Sequence, residues 1–311
     1  VAANYPGVVG HIAAIDLATG AVERLVDVRG PALYFVTSLA HDPAGRALFY
    51  TTHNYDWRDL WRLDLDTGET QRLQRDTRIG DLAFCTADST LWGVRHFNGI
   101  STLVRMRPPY TEWRQVHSPP YGRVVYDLDV SPDGRLLSYA LSEISGRQTL
   151  RLIEVDALLA GRTEDTLLHD FGFSLPGNFV FSRDGRCLYG SSYYTGVANI
   201  WRHDLAAGAM DIVTNCETGM FRPVPTRGDS LIVFRYSGRG FVPAVVRPEP
   251  LDDVSAVTFL GRLIAERHPV VTGWNVGSPA DVDLDAVTVR EGPYSGLRHV
   301  GLASVYPLVQ G

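Results

Sequence analysis

The chain has 311 residues, of which 45% are hydrophobic and 21% charged, and carries a formal net charge of −6. That length holds one large all-β domain or two ordinary ones, and the apolar content excludes intrinsic disorder. The acidic balance, without runs of like charge, excludes the basic footprint of a nucleic-acid binder, and no apolar stretch is long enough for a transmembrane helix.

All 29 basic residues are arginine. Complete exclusion of lysine reads as the codon usage of a GC-rich genome rather than as function. Three cysteines, Cys85, Cys187 and Cys216, cannot all pair within the chain, and their spacing fits neither a zinc site nor a redox CxxC pair. Cys85 and Cys187 fall in apolar strand patterns, where a thiol behaves as a small hydrophobe. Cys216 falls in a loop. The chain opens on Val1 in a strand-like pattern, with no signal peptide and no initiator Met, so it is expected to be a piece of a longer precursor.

In chain order, a half-unit comes first. HIAAIDLATGAVERLVDV, from His11, copies the second half of DPAGRALFYTTHNYDWRDLWRLDLDTGETQRL, which begins at Asp42. The motif is a polar turn, an apolar strand, a polar loop, a second strand, then a turn with Asp and Gly. It returns as TADSTLWGVRHFNGISTLVRM, SPDGRLLSYALSEISGRQTLRLIEVD, SRDGRCLYGSSYYTGVANIWRHDLAAGAMDIV and RGDSLIVFRYSGRGFVPAVV. The first apolar residue after each turn is Leu48, Leu91, Leu137, Leu188 and Leu231, at gaps of 43, 46, 51 and 43 residues. This is the period of a four-stranded propeller blade, and a sandwich would not repeat one motif five times. The longest gap holds an insert, Asp156–Thr166, between the two outer strands of its blade.

The expected fold is therefore all-β: a six-bladed β-propeller with a C-terminal non-repeat extension. The propeller is expected over 1–260, with a half blade at 1–28 and blades at about 36–75, 79–117, 125–170, 177–216 and 219–250. An open inner edge in the half blade would leave unpaired backbone groups, and Val254–Leu260 is the candidate strand to close it. Residues 261–311 do not repeat and read as an extension or a linker to a further domain.

Ligands of propellers sit at the mouth, so candidate residues belong at one repeated loop slot. Five residues after the aligned leucines stand His53, His96, Ser142, Tyr193 and Tyr236. Tyr5 fits by offset: it precedes Ala13 by eight residues, as His53 precedes Trp61 and Tyr193 precedes Trp201. A ring of these six would hold a protein segment, a peptide or an oligosaccharide by stacking and hydrogen bonding. His53 and His96, with Glu143 in the next blade, are types that suit zinc or manganese. Matching slots on adjacent blades diverge too far for ligands at about 2 Å each, so no metal or other cofactor is expected. No GxSxG elbow and no glycine-rich phosphate loop is present. His41, His117, His169 and His203 fall at strand or turn positions and read as structural.

The SPDG, SRDG and DPAG turns, followed by LLSY, CLYG or ALFY and then by IWRHDLAAG or LWRLDLDTG, resemble the WD40-like propeller repeats of the TolB type. The resemblance implies a periplasmic or cell-envelope propeller within a larger bacterial protein, acting as a non-catalytic binding scaffold. Such propellers also serve as gating domains of serine peptidases and as metal-dependent polysaccharide lyases, which keeps an enzyme-associated alternative open. The tail, REGPYSGLRHVGLASVYPLVQG, reads as a strand pattern. It resembles the segment preceding an outer-membrane barrel in large envelope proteins, and a simple extension packed on the propeller is the other reading.

Overall fold

The computed structural model describes residues 1–4, 9–29, 35–54, 57–251, 260–273, 282–287, 292–293 and 295–301. Its strands form six antiparallel sheets arranged as a six-bladed β-propeller. Blade one contains β1 (Ala2–Ala3), β2 (His11–Ile15) and β3 (Val22–Asp27). Blade two contains β4 (Phe35–Asp42), β5 (Ala47–His53), β6 (Arg58–Asp64) and β7 (Thr70–Gln74). Blade three contains β8 (Ile79–Cys85), β9 (Thr90–Phe97), β10 (Ile100–Met106) and β11 (Arg114–His117). Blade four contains β12 (Arg123–Val130), β13 (Leu136–Glu143), β14 (Gln148–Glu154) and β15 (Thr166–Gly172). Blade five contains β16 (Pro176–Phe181), β17 (Cys187–Ser192), β18 (Asn199–Asp204) and β19 (Ala209–Ile212). Blade six contains β20 (Met220–Pro225), β21 (Leu231–Ser237) and β22 (Gly240–Val246). Each sheet runs in chain order, and β4, β8, β12, β16 and β20 adjoin one another in turn as the inner strands.

The repeat exists because its turns are self-satisfying. In DLATG, DLDTG and DLAAG, the Oδ1 atoms of Asp16, Asp64 and Asp204 each accept two backbone N–H groups from the following residues at 2.7–3.1 Å. The closing Gly20, Gly68 and Gly208 have φ of 73°, 74° and 64°, a left-handed conformation that glycine adopts without steric cost. In SPDG and SRDG, the Ser131 and Ser182 hydroxyls donate to Asp133 and Asp184 at 2.6 Å. The same hydroxyls accept the N–H of Leu136 and Cys187 at 2.9 Å, which locks the start of the next strand.

Of the aligned leucines, Leu91, Leu137, Leu188 and Leu231 are buried, while Leu48 is partly exposed beside the cluster of Ile12, Val28, Val36, Tyr50 and Leu63. Trp61 and Trp201 occupy equivalent registers, opposite Tyr50 and Gly190. Trp201 is only 7% exposed and packs against His169 and Phe171 of the preceding blade. Trp61 is partly exposed; its Nε1–H donates to Thr52 Oγ1 at 3.2 Å and the Arg72 guanidinium lies over its ring.

The insert at Asp156–Thr166 is helical at its start: α1 spans Val155–Leu159, with Val155 and Leu158 buried. Blade six departs from the expected four strands, with three among the described residues. The run Arg247–Leu251 forms no strand because Pro248 and Pro250 remove two donors, and the Leu251 N–H instead reaches Ile212 O at 3.0 Å. Val254–Phe259, the bulk of the expected closing strand, lies outside the described residues. Leu260 does not end a strand but opens α2 (Leu260–Arg267), where helix-forming residues prevail. The described part of the strand-like tail is likewise a helical turn, Gly296–His299; residues 302–311 lie outside the described set. The chain divides into two compact units, Val1–Val276 and Gly277–Gly311. Among the described residues no helix is long and apolar enough to cross a membrane.

Candidate functional site

Because the strands alternate in direction, the β5–β6, β9–β10, β13–β14, β17–β18 and β21–β22 connections gather at one end of the blades. His53, His96 and Ser142 lie at or near the ends of β5, β9 and β13; Tyr193 follows β17, and Tyr236 lies near the end of β21. Tyr5 lies outside the described residues.

Tyr193 and Tyr236 are linked by two rings that sequence reading did not single out. Tyr193 stands 6.0 Å from Phe221, Phe221 5.5 Å from Phe241, and Phe241 5.3 Å from Tyr236, centroid to centroid. Tyr193 is tilted by 57° to Phe221, and interplanar angles of 84° and 61° make the other two pairs edge to face, a favoured arrangement for aromatic quadrupoles. Tyr193, Tyr236 and Phe241 remain 43%, 49% and 56% exposed. Gly219 makes room for the run: its φ is 114°, and a Cβ there would lie 2.8 Å from the Phe221 ring. The Tyr236 N–H donates to Gly219 O at 2.9 Å, and Thr218 Oγ1 donates to Tyr236 O at 2.6 Å. Cys216 sits beside this turn, with its N–H on Asn199 Oδ1 at 2.9 Å. Burial works to raise its thiol, but the Thr218 backbone and hydroxyl, the Gly219 backbone and Arg235 together hold it below the ordinary value.

His96 belongs to a different environment. Its Nε2 is 4.0 Å from Asp81 Oδ2, and it lines a cleft of about 450 Å³ with Arg78, Phe97, Asn98 and Val124. The guanidinium groups of Arg78 and Arg95 lie 5.8 and 4.5 Å from the Phe97 centroid. Burial lowers the His53 imidazole, and the Arg58 charge adds to the effect. Burial also lowers Arg58, whose guanidinium occupies the space where a Cβ on Gly80 would meet it at 2.7 Å. Ser142 is engaged internally: its Oγ accepts from Gln148 Nε2 at 2.9 Å, and Gln148 Oε1 accepts from the Tyr126 hydroxyl at 2.9 Å. The structure thus joins Tyr193 to Tyr236, sets His53 and His96 among arginines, and ties Ser142 into its own blade. Among the described residues no group of three or more His, Cys, Asp or Glu side chains gathers as for a metal ion.

A second polar set lies on the inner strands. Each shifts register once, between Val36 and Ser38, Gly80 and Ala83, Tyr126 and Asp129, Gly177 and Val180, and Phe221 and Val224. At the bulge Asp81, Asp127, Asn178 and Arg222 have φ of 48°, 47°, 52° and 51°. Their bonds stitch blade to blade. The Leu82 N–H donates to Ser38 Oγ at 2.7 Å, and the Asp127 N–H to Asp81 Oδ2 at 3.2 Å. The Asn178 N–H donates to Asp127 Oδ2 at 3.0 Å, and the Phe181 N–H to Asp129 Oδ2 at 2.7 Å. Burial, then the Asp81 charge, pushes the Asp127 carboxyl up to about 6; burial alone pushes Asp129 up to about 7. The signal in the sequence was a polar residue about ten positions before each aligned leucine. A bulge interrupts strand alternation, so simple periodicity passes over it.

No family model and no curated protein matches the sequence. Among solved structures, a protein assigned as TolB from Agrobacterium tumefaciens matches with a TM-score of 0.58 at 18% identity, over 72% of this chain and 76% of that one. The fold is a TolB-type β-propeller. A chain from a nidogen/laminin complex also matches in fold, with a TM-score of 0.59 at 13% identity over 78% of this chain and 89% of that one. An oligogalacturonate lyase in complex with manganese matches at 0.56 and 15% identity over 77% and 72%. At such identities the likeness is one of fold, which by itself fixes no function.

Proposed function

We propose that this TolB-type propeller is a non-catalytic binding module that docks a segment of a protein partner on the mouth of blades five and six. The observation that supports this is the run Tyr193–Phe221–Phe241–Tyr236, in which Tyr193, Phe241 and Tyr236 are exposed. Exposed, self-packed aromatic rings on a rigid sheet lose little conformational entropy on binding, which is how interface anchors work. The rings meet tilted or edge to face, so they offer notches for apolar side chains rather than a flat platform for a sugar. A neighbouring fold taken from a nidogen/laminin complex is consistent with a protein partner. Placement in the periplasm or cell envelope, within a larger protein, is part of the same proposal.

The test pairs synthetic peptides carrying Leu, Phe or Trp anchors with neutral and acidic oligosaccharides. Peptides are expected to bind, and the Tyr193→Ala/Phe241→Ala variant to lose at least about tenfold in affinity. Bound peptide should also slow alkylation of Cys216. Binding of oligosaccharides alone, or unchanged peptide binding by the variant, would discard the reading.

A further inference from the structure

Two connections that replace the short Asp–Gly turn of the repeat come together. One is the connection from β10 to β11, which contains Arg107, Pro108 and Pro109; the other is α1 and the loop that follows it. Both join the third and fourth strands of their blades, so they lie at the end of the sheets away from the mouth. Between them is a cleft of about 420 Å³.

Its walls are of two kinds. Leu158, Leu159, Val116 and the two prolines give an apolar side. Arg105, Arg107 and Arg114 give a basic side, with Glu112 as the acidic residue in the lining. Arg105 is fixed: its Nη2 pairs with Asp88 and its guanidinium lies 5.3 Å from the Trp92 centroid, yet its Nε is buried with no hydrogen-bond partner. A buried donor left unpaired is costly, and such groups call for an explanation. Arg107 and Arg114 are exposed and, among the described residues, form neither an ion pair nor a side-chain hydrogen bond. Arg114 and Val116 also belong to β11, the outermost strand of blade three, which pairs with β10 alone among the described strands. An outermost strand presents backbone groups to which an extended segment can add.

We propose that this cleft binds an extended acidic peptide segment. Its carboxylates meet Arg107 and Arg114, with the planar guanidinium fork suited to each. Its apolar side chains lie on Leu159 and the prolines, and its backbone runs beside β11. A small anion would use the arginines and leave the apolar wall uncovered, which is why a peptide fits better. The chain as a whole carries −6, so the attraction is local and short-ranged at physiological salt. This site stands apart from the mouth, and the two readings fail independently.

The experiment is fluorescence anisotropy with a labelled peptide of alternating Glu and Leu, and with its Gln-for-Glu counterpart. The Glu peptide should bind at least about tenfold tighter than the Gln peptide, and more weakly as salt is raised. Arg107→Glu/Arg114→Glu should remove at least about tenfold in affinity. Arg107→Gln/Arg114→Gln should act in the same direction and guards against a folding defect, which thermal unfolding will reveal. Tyr193→Ala should leave this binding unchanged. Equal affinity for the two peptides, full binding by both arginine variants, or complete displacement of the peptide by millimolar inorganic phosphate would each overturn the proposal.

Discussion

At the mouth, one slot of the repeat holds histidine beside arginines in blades two and three, and tyrosine beside phenylalanines from other strands in blades five and six. In the first arc the charges answer one another. Asp81 faces His96 at 4.0 Å and offsets the burial of Arg58, while Arg78 pairs with Asp76. In the second arc the rings touch chiefly each other, and Tyr193, Tyr236 and Phe241 keep about half their surface in water. Equivalent backbone placement therefore yields one arc whose polar groups are internally engaged and one whose apolar surface is still to be covered. Burying exposed apolar area is favourable by roughly 25 cal/mol per Å², whereas exposed ion pairs contribute about 0–1 kcal/mol. The second arc is the one with binding energy in reserve.

The largest expected effect tests what supports each arc. Trp201, beneath Tyr194 at 5.6 Å, is buried in the wedge between blades four and five. Trp201→Ala should cost about 3–5 kcal/mol in urea unfolding, and Trp61→Ala clearly less, since its ring is already part-wetted. Equal losses would show that the two arcs rest on the same packing.

Next is the pH dependence of the inner-strand ladder. Asp129 carries a carboxyl raised to about 7 by burial, against about 4 unfolded. The folded state then holds an extra proton between those values, so stability should fall as pH rises from about 4 to about 7. The loss is on the order of 2–4 kcal/mol. Denaturation midpoints across this range should show it, and Asp129→Asn, which keeps an acceptor for the Phe181 N–H, should flatten the curve. A wild-type curve that rises over this interval would contradict the assignment.

A smaller effect distinguishes the thiols. Cys216 is partly exposed with its thiol held low, whereas burial raises Cys85 and Cys187. Native-state titration with a chromogenic disulfide near neutral pH should give one fast thiol, about tenfold ahead of the others, and lost in Cys216→Ser. A single shared rate would place Cys216 outside the accessible rim. Smallest of all, His96→Ala should change stability by less than about 0.5 kcal/mol, because its contact with Asp81 is long and open to solvent. A loss above 1 kcal/mol would mean that the charged arc is held together more tightly than its geometry suggests.

The blade count and the turns were legible because their causes are local. A DLxxG turn is closed by an Asp that bonds its own neighbours and a Gly that takes the left-handed conformation, so the chemistry repeats wherever the letters do. The alternating apolar residues set the register in the same local way, and the aligned leucines followed. The slot holding His53, His96, Ser142, Tyr193 and Tyr236 was also legible as a position. What the side chains do there was not. Tyr193 meets Tyr236 only through Phe221 and Phe241, which come from other strands, and Ser142 is claimed by a glutamine six residues on. The inner ladder of Asp81, Asp127 and Asn178 depends on a bulge whose bonds close between residues about 50 positions apart. The arginine cleft needs a loop of one blade and an insert of the next. Local bonds are written in neighbouring letters, whereas convergence across blades depends on how neighbouring sheets pack around the axis, and only the tertiary structure decides that.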